Sequence, residues 1–198
     1  MADRIGVYER VRVARPDDAK AIAEIYAPYV RDTVISFEYV VPDEVEMAAR
    51  IAKVQGAGLP WLVLEDDGEV LGYAYAGPHR DRAAYRWAVD AGIYIGPKVH
   101  RRGVGRALYN LLFAVLTLQG YHRVYGGITL PNVASVGLHE ACGFKPIGTY
   151  DGVGFKFGQW HSVGWWGLDL AAPCAPALPA PINKMLFDEA KWRAASGG

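Results

Sequence analysis

Apolar positions repeat with two periods along the chain, and each period predicts a different kind of element. Short β-branched or alternating runs predict strands, whereas apolar residues that recur every three or four positions predict helices. The predicted strands cover residues 11–13, 61–64, 70–77, 85–95, 123–130 and a final pair that includes 160–170. Helices are predicted to start at 15–18 and 42–44, to follow the turn at 100–106, and to run from about 132 to 142. This order predicts an α/β protein with a mixed sheet and helices on both faces.

Two local features qualify this pattern. Residues 33–39 (TVISFEY) are rich in β-prone side chains and are expected to be extended. Pro28 lies inside the first predicted helix, where a missing N–H should bend or end it.

The most informative stretch, 93–120, joins a strand to a helix through a basic turn. Gly96-Pro97 ends the strand, because proline cannot donate to a sheet ladder, and Gly120 is a helix stop. The turn between them has the sequence HRRGVGR. Free N–H groups at a helix start attract anions, glycines allow a close approach, and arginines add charge. We therefore expect an anion site here.

Three phosphate-binding patterns and one structural alternative compete for this turn. A Walker loop is excluded, because no Gly-x-x-x-x-Gly-Lys-Ser/Thr occurs. A dinucleotide fingerprint lacks its third glycine, since Leu108 stands in that place, and the strand 123–130 does not end in an acid. The third pattern is Gln/Arg-x-x-Gly-x-Gly/Ala, with His100 in the first position. A turn that only connects strand and helix remains possible on this stretch alone.

Composition narrows the class of protein. With 198 residues, of which 52% are hydrophobic, the chain has enough apolar material for one sizeable core. Its 21 basic and 21 acidic residues balance, which argues against nucleic-acid binding. Cys142 and Cys174 lie far apart with no His or Cys at ligand spacing, so neither a disulfide framework nor a metal site is expected. The longest apolar stretch, 108–118, is too short to span a bilayer, so we expect a cytoplasmic protein.

The chain is expected to form one domain, residues 1–172, followed by a tail. From Pro173 the sequence becomes proline-rich, and 173–198 is predicted to be a tail or arm mostly outside the core.

Five stretches of the chain carry a family resemblance. They are IAEIYAPYV with TVISFEY, PWLVLEDDGEVLGYAYAGPHR, IYIGPKVHRRGVGRALY, LPNVASVGLHEACGF and GFKFGQWHSVGWWGLDL. In their order and spacing they resemble the GNAT acetyltransferase superfamily, and within it the phosphinothricin and methionine sulfoximine N-acetyltransferases. The resemblance covers roughly residues 10–170 and implies the GNAT fold, a strongly twisted mixed sheet flanked by helices.

The resemblance implies acetyl-CoA as co-substrate and no metal. Its pyrophosphate would lie on the basic turn, and its peptide-like arm beside the preceding strand and the asparagine of the later motif. An N-cap role for Asn132 is compatible with this. The implied contacts are Ile93, Tyr94, Ile95, Arg101, Arg102, Gly103, Val104, Gly105, Arg106, Asn132 and Ser135.

Two catalytic residues are implied by position in the family motifs. The family's general base falls at Asp90, where members usually have Glu, so the shorter Asp90 would act directly or through a water. A solvated acid at a strand bulge is the alternative. His139 falls where most members have a tyrosine near the thioester sulfur, and it would donate to charge that develops on oxygen or sulfur. A structural helix histidine is the alternative.

Recognition of the amine is implied by a third group. Arg80 and Arg82 would hold a carboxylate or phosphinate through their planar forks, unless they belong to a solvated loop. Phe37 and Tyr85 would form an apolar wall. His79 and Asp81 are expected to be exposed.

The resemblance implies N-acetylation of the α-amine of a small amino acid-like substrate by direct attack on acetyl-CoA. Alternatives are acetylation of another small amine or a peptide N-terminus, and a non-catalytic acyl-CoA-binding module. A homodimer is expected, with no nucleic-acid or membrane partner.

Overall fold

The computed structural model of the chain describes residues 10–100, 102–170 and 177–182. Over these residues the strands form a seven-stranded mixed sheet in the order β1-β2-β3-β4-β5-β7-β6, which confirms the predicted fold class. The strands are β1 (Val11–Val13), β2 (Trp61–Asp66), β3 (Glu69–Pro78), β4 (Ala88–Ile95), β5 (Arg123–Leu130), β6 (Lys145–Lys156) and β7 (Gln159–Asp169).

Each predicted helix is present, with ends set by local chemistry. The helices are α1 (Ala19–Arg31), α2 (Glu44–Gly56), α3 (Val104–Gln119) and α4 (Val133–Ala141). At the start of α2, the Asp43 side chain accepts a hydrogen bond from the Glu46 amide, which satisfies one free donor of the first turn. α1 continues through Pro28 to Arg31, so the prediction that Pro28 ends the helix is wrong. None of the helices in the described ranges is long and apolar enough to cross a membrane.

The helices cover both faces of the sheet. α1 and α2 pack on a face that includes Trp61, Val63 and Tyr73. α3 packs on the opposite face, where Leu62 and Ala74 are fully buried. This inside–outside alternation along β2 and β3 follows from the two-residue period of a strand.

The sheet is open between β4 and β5. These strands pair in parallel over three positions only, and Asp90 opposite Tyr125 is the last pair. β5 pairs with β7 in antiparallel fashion along its whole length. The facing edges of 91–95 and 126–130 therefore have no ladder between them, which leaves a V-shaped split closed at Asp90.

Two predicted strands differ from the structure. Residues 33–39 form bends and turns, because the backbone carbonyls of Val30 and Ser36 accept hydrogen bonds from the buried Lys156 ammonium at 2.6 Å each. β4 begins at Ala88, and Ala83–Tyr85 is a short 3-10 turn. β-propensity could not predict the conformation of 33–39, because a side chain 120 residues away holds this segment.

Part of the predicted tail packs on the domain. Ile182 is 3% exposed, and its amide donates to the Gly58 carbonyl. The Gln119 side chain donates to the carbonyls of both Gly58 and Ala180. Within 177–182 only Ile182 belongs to the core, whereas 177 and 178 are exposed. Residues 171–176 and 183–198 lie outside the described residues.

Candidate active site

The split between β4 and β5 contains a small cavity of about 70 Å³. It brings together several residues that the sequence predicted to bind acetyl-CoA or to act in catalysis. Among its lining residues are Ile93, Tyr94, Asn132, Ser135 and His139.

The N-terminus of α3 lies at the open end of the split. Gly103 has a φ of +77°, a conformation that favours glycine, and the first bond of the helix runs from the Ala107 amide to the Gly103 carbonyl. The amides of 104–106 therefore have no partner within the helix and are available to an anion. Arg102 and Arg106 are exposed beside them, whereas Arg101 lies outside the described residues.

Glycine suits the two positions of the turn, 103 and 105, for different physical reasons. A Cβ at Gly103 would meet nothing within 4 Å, so the space above it is open. A Cβ at Gly105 would lie 3.3 Å from the Leu138 side chain and 3.7 Å from that of Ile93. Gly105 therefore allows α3 to pack closely on α4 and β4, while the room for an anion is at Gly103.

Asn132 and Ser135 form the first turn of α4 on the other side of the split. The Asn132 side-chain oxygen accepts a hydrogen bond from the Ser135 amide at 3.0 Å, which makes Asn132 the N-cap predicted from the sequence. This contact leaves the Asn132 amide nitrogen available to a ligand in the cavity that it lines.

His139 is 3% exposed, and both ring nitrogens are engaged within the protein. Nδ1 donates to the Ser135 carbonyl at 2.8 Å, and Nε2 accepts from the Tyr109 hydroxyl at 3.2 Å. Nε2 also lies 2.7 Å from the position that a Cβ of Gly126 would occupy. Burial lowers the pKa of His139, which favours the neutral ring. Both hydrogens of this pair are therefore used within the protein, and the Tyr109 hydroxyl would have to turn away from Nε2 to donate to a ligand in the cavity.

Asp90 lies at the closed end of the split and is bonded to a histidine that the sequence analysis placed in solvent. His79 Nδ1 is 2.6 Å from Asp90 Oδ1, and the His79 side chain is only 15% exposed. Burial raises the pKa of Asp90, although the hydrogen bond from His79 and the nearby charge of Arg80 oppose this.

The His79 ring is packed among aromatic side chains on the α1–α2 face of the sheet. It stacks on Tyr125 with centroids 4.3 Å apart, and the rings of Tyr85 and Trp165 lie 6.0 and 6.3 Å away. The prediction that His79 is exposed is wrong. The strand period could have corrected it, because Gly77 opposes Asp90 and a side chain two residues later faces the same way.

The predicted substrate-binding residues are only partly brought together. Arg80, Arg82 and Tyr85 line one pocket of about 320 Å³, which is separate from the cavity of the split, and the Tyr85 ring also lies 6.0 Å from that of His79. Both arginines are exposed, and Arg80 donates to the His79 carbonyl. Phe37 lies instead near β6 and β7, with its ring 6.3 Å from that of His161. Arg80 therefore lies at the Asp90 end of the site and Phe37 on another part of the same sheet face.

Within the described ranges, no three His, Cys, Asp or Glu side chains are grouped as metal ligands. The site combines a split sheet, a helix N-terminus for an anion and a carboxylate–imidazole pair, which together define an enzyme that transfers a group from a phosphate-bearing donor.

The comparison with known proteins identifies the family. A family model described as an acetyltransferase (GNAT) domain matches residues 11–165, so the chain belongs to the GNAT acetyltransferase family. A phosphinothricin N-acetyltransferase of Alcaligenes faecalis is 49% identical over 151 residues, covering 76% of this chain and 77% of that protein.

Two further relatives extend the comparison. The L-methionine sulfoximine/L-methionine sulfone acetyltransferase of Salmonella typhimurium is 33% identical over 166 residues, covering 84% of this chain and 97% of that protein. A crystal structure of a GNAT superfamily phosphinothricin acetyltransferase from Sinorhizobium meliloti, in complex with acetyl-CoA, is similar with a TM-score of 0.79 at 35% identity. That match covers 83% of this chain and 92% of the other.

Proposed function

We propose that the protein is an acetyl-CoA-dependent N-acetyltransferase that acetylates the α-amine of a small amino acid-like substrate, of the phosphinothricin or methionine sulfoximine type. The observation that carries this proposal is the split between β4 and β5, which has the α3 N-terminus at its open end and Asp90 at its closed end. The relatives named above support the same reaction and substrate class.

The turn and the split fit the donor in two places. The free amides of 104–106, with Arg101, Arg102 and Arg106, would hold the pyrophosphate. The unpaired edge of 93–95, together with Asn132 and Ser135, would bind the peptide-like arm through backbone and amide hydrogen bonds. The bound donor supplies an activated acetyl thioester.

The residues of this chain then perform three tasks. Asp90 removes the ammonium proton, either onto its own carboxylate or through a group bound to it. His139, acting with Tyr109, stabilises charge that develops on oxygen or sulfur. Arg80 and Arg82 hold the carboxylate or phosphinate, and Phe37 and Tyr85 contact the rest of the substrate.

A thiol-release assay tests the reaction. Purified protein with acetyl-CoA should release free thiol when phosphinothricin or methionine sulfoximine is added, and the product should be the N-acetyl derivative by mass spectrometry. Acetyl-CoA should also raise Tm, whereas NAD should not. Binding of acetyl-CoA without thiol release across a panel of amines would support the acyl-CoA-binding module instead.

Variants of the two arginines test substrate recognition. Arg80→Gln and Arg82→Gln should each raise KM for the carboxylated substrate. The rise should correspond to a loss of about 1.5–3 kcal/mol of binding free energy, as expected for a charged hydrogen bond. The matched change Arg31→Gln, at the exposed end of α1, should have little effect. An equal loss on an amine that lacks the carboxylate would show that the arginines maintain structure.

The expected homodimer is supported by an apolar surface on the β6–β7 hairpin. Its large side chains are between 47% and 68% exposed, and they are Ile147, Tyr150, Val153, Phe155, Phe157 and Trp160. Several large exposed apolar side chains on one hairpin are typical of an interface. Trp160→Glu should convert a dimer to a monomer in light scattering, whereas Val45→Glu, an exposed apolar residue on α2, should not.

We also propose a cytoplasmic location. The reaction releases a free thiol, and a reducing compartment keeps such a thiol from being oxidised. Fractionation of cells that produce the protein would test this.

A further inference from the structure

We propose that the proton acceptor of the reaction is the imidazole of His79, and that Asp90 is the positioning residue that orients it. The inference rests on the proposed function and assigns one of its steps to a different atom. It explains how a site with an aspartate, shorter than the glutamate usual in the family, can reach the substrate amine.

The geometry of the pair decides which atom is free to accept a proton. An ionised carboxylate can only accept hydrogen bonds, so at 2.6 Å from Asp90 Oδ1 the Nδ1 atom of His79 must carry the proton. In the neutral ring the lone pair is then on Nε2. Nε2 has no hydrogen-bond partner among the described residues, and it is not a buried unsatisfied atom. The carboxylate oxygen nearest the ring is occupied, whereas the basic ring nitrogen is free.

The packing of the ring fixes its position over the closed end of the split. Tyr125, on which His79 stacks, is the partner of Asp90 in the last β4–β5 pair. Tyr85 and Trp165 limit rotation of the ring from two further sides. The base is thus held by β3, β4, β5 and β7 at the point where the two strands separate, which is where the acetyl-bearing end of a ligand in the split would lie.

The charges around the ring favour its use as a base. The titratable groups that face it are Asp90 from β4, Tyr125 from β5, Tyr85 from the 3-10 turn and Arg80 from its own loop, and Arg123 lies over the Tyr125 ring at 5.5 Å. Asp90 is the acidic group of this set and contacts the ring directly, so it stabilises the imidazolium that forms.

The step is balanced in protons and electrons. His79 Nε2 takes one proton from the substrate ammonium, and the amine lone pair forms the new C–N bond while the C–S bond breaks. The second proton leaves the nitrogen and ends on the CoA sulfur, which departs as a thiol. The imidazolium then returns its proton to solvent.

A pair of pH profiles distinguishes the two possible bases. If His79 is the base, His79→Asn should lower kcat/KM at neutral pH by about 10²- to 10⁴-fold and remove the ascending limb of the profile, because Asn keeps the donor to Asp90 but has no basic nitrogen. Asp90→Asn should keep an ascending limb with a lower plateau. His122→Asn, at the residue before β5, is the matched control and should resemble the wild type.

The opposite pattern would overturn the proposal. If Asp90 is the base, His79→Asn should keep the ascending limb, because Asn still donates to Asp90 and the Asp90 carboxylate still takes up the proton. The pH profile of kcat/KM for Asp90→Asn should then have no ascending limb. A second kinetic test uses His79→Gly, whose activity should be restored by added imidazole in proportion to its neutral form. Failure of this rescue in folded protein that still binds acetyl-CoA would also count against His79.

A readout without substrate completes the test. The chain has five histidines, so the imidazole ¹⁵N resonances can be assigned with single His→Asn variants. We expect the Nδ1–H tautomer for His79 in the wild type and a mixture of tautomers in Asp90→Asn. An Nε2–H tautomer in the wild type would overturn the proposal. If the wild type releases no thiol with any amine, the proposed function fails, while the tautomer experiment still reports on the pair.

Discussion

At the scale of single residues, the site places ionisable groups where burial works against their charge. Asp90 is the main case, because its carboxylate lies beside His79 at the closed end of the split and burial raises its pKa. Such a group reduces the stability of the fold when it is ionised, a cost that is typical of functional sites.

The pH dependence of stability should show this directly. Because the pKa of Asp90 is higher in the folded chain than its ordinary 3.8, its ionisation is disfavoured by folding, and stability is lost as pH rises through the folded value. Asp90→Asn should therefore have a small positive shift of Tm at neutral pH that disappears below pH 3.8. The measurement is thermal unfolding from pH 3 to 8. Asp81→Asn, at an exposed position, is the control, and an equal shift there would contradict the argument.

Tyr109 is a second residue whose role can be separated from that of its partner. Its hydroxyl donates to His139 within the cavity of the split, and the two side chains together line that cavity. Tyr109→Phe should lower kcat by about 10²-fold at every pH, since removal of one donor to developing charge has that effect. Acetyl-CoA affinity, measured by calorimetry, should be unchanged. Tyr150→Phe on β6 is the control, and full activity of Tyr109→Phe would leave the donor role to His139 alone.

At the scale of elements, the sequence predicted strands and helices well where their own periodicity decides them. The start of α2 at 42–44 and the Gly120 stop of α3 depend on neighbouring residues, and both were predicted. Residues 33–39 were not, because their conformation depends on Lys156 in a distant strand. The burial of His79 was also missed. The residues after β3 are mostly charged and predict an exposed loop, although the His79 side chain still follows the alternation of the strand.

Lys156 should therefore control the α1–α2 loop. Lys156 is 1% exposed, its ammonium donates to the carbonyls of Val30 in α1 and Ser36 in the loop, and burial lowers its pKa. Lys156→Met leaves both carbonyls without a donor, which destabilises the fold by about 1–3 kcal/mol for each group. KM for the amine should rise, because Phe37 lies in this loop, with little change for acetyl-CoA. Chemical denaturation and steady-state kinetics measure both effects, and Lys145→Met, at the exposed start of β6, should change neither.

At the scale of the whole molecule, the folded unit extends beyond the end of the sheet. Residues 177–182 contact α3 and the chain after α2 through backbone hydrogen bonds, and Trp87 on the way into β4 donates to the Ala177 carbonyl. A domain that stops at 172 would lose these contacts. The proline content predicted a tail, but it could not show that one isoleucine within the tail is buried.

Substitution within this segment tests its contribution. Ile182→Ala should destabilise the fold by about 2–5 kcal/mol, as expected for truncation of a buried isoleucine. Leu178→Ala is a matched change four residues earlier, and at 66% exposure it should have an effect within about 0.5 kcal/mol. Urea unfolding of the full chain measures both. Equal values for the two variants would show that the segment is bound only loosely.

The short ladder between β4 and β5, here called the seam, should also make the sheet weaker under force at this place than elsewhere. Three residue pairs join β4 to β5 across the seam, whereas eight residue pairs join β5 to β7. A load applied between β4 and β5 should open the seam at lower force than a load of the same direction between β5 and β7. A ligand lying in the split would bridge both edges and raise the first force, so that an optical-trap experiment on the two strands could detect occupancy of the site as a mechanical signal.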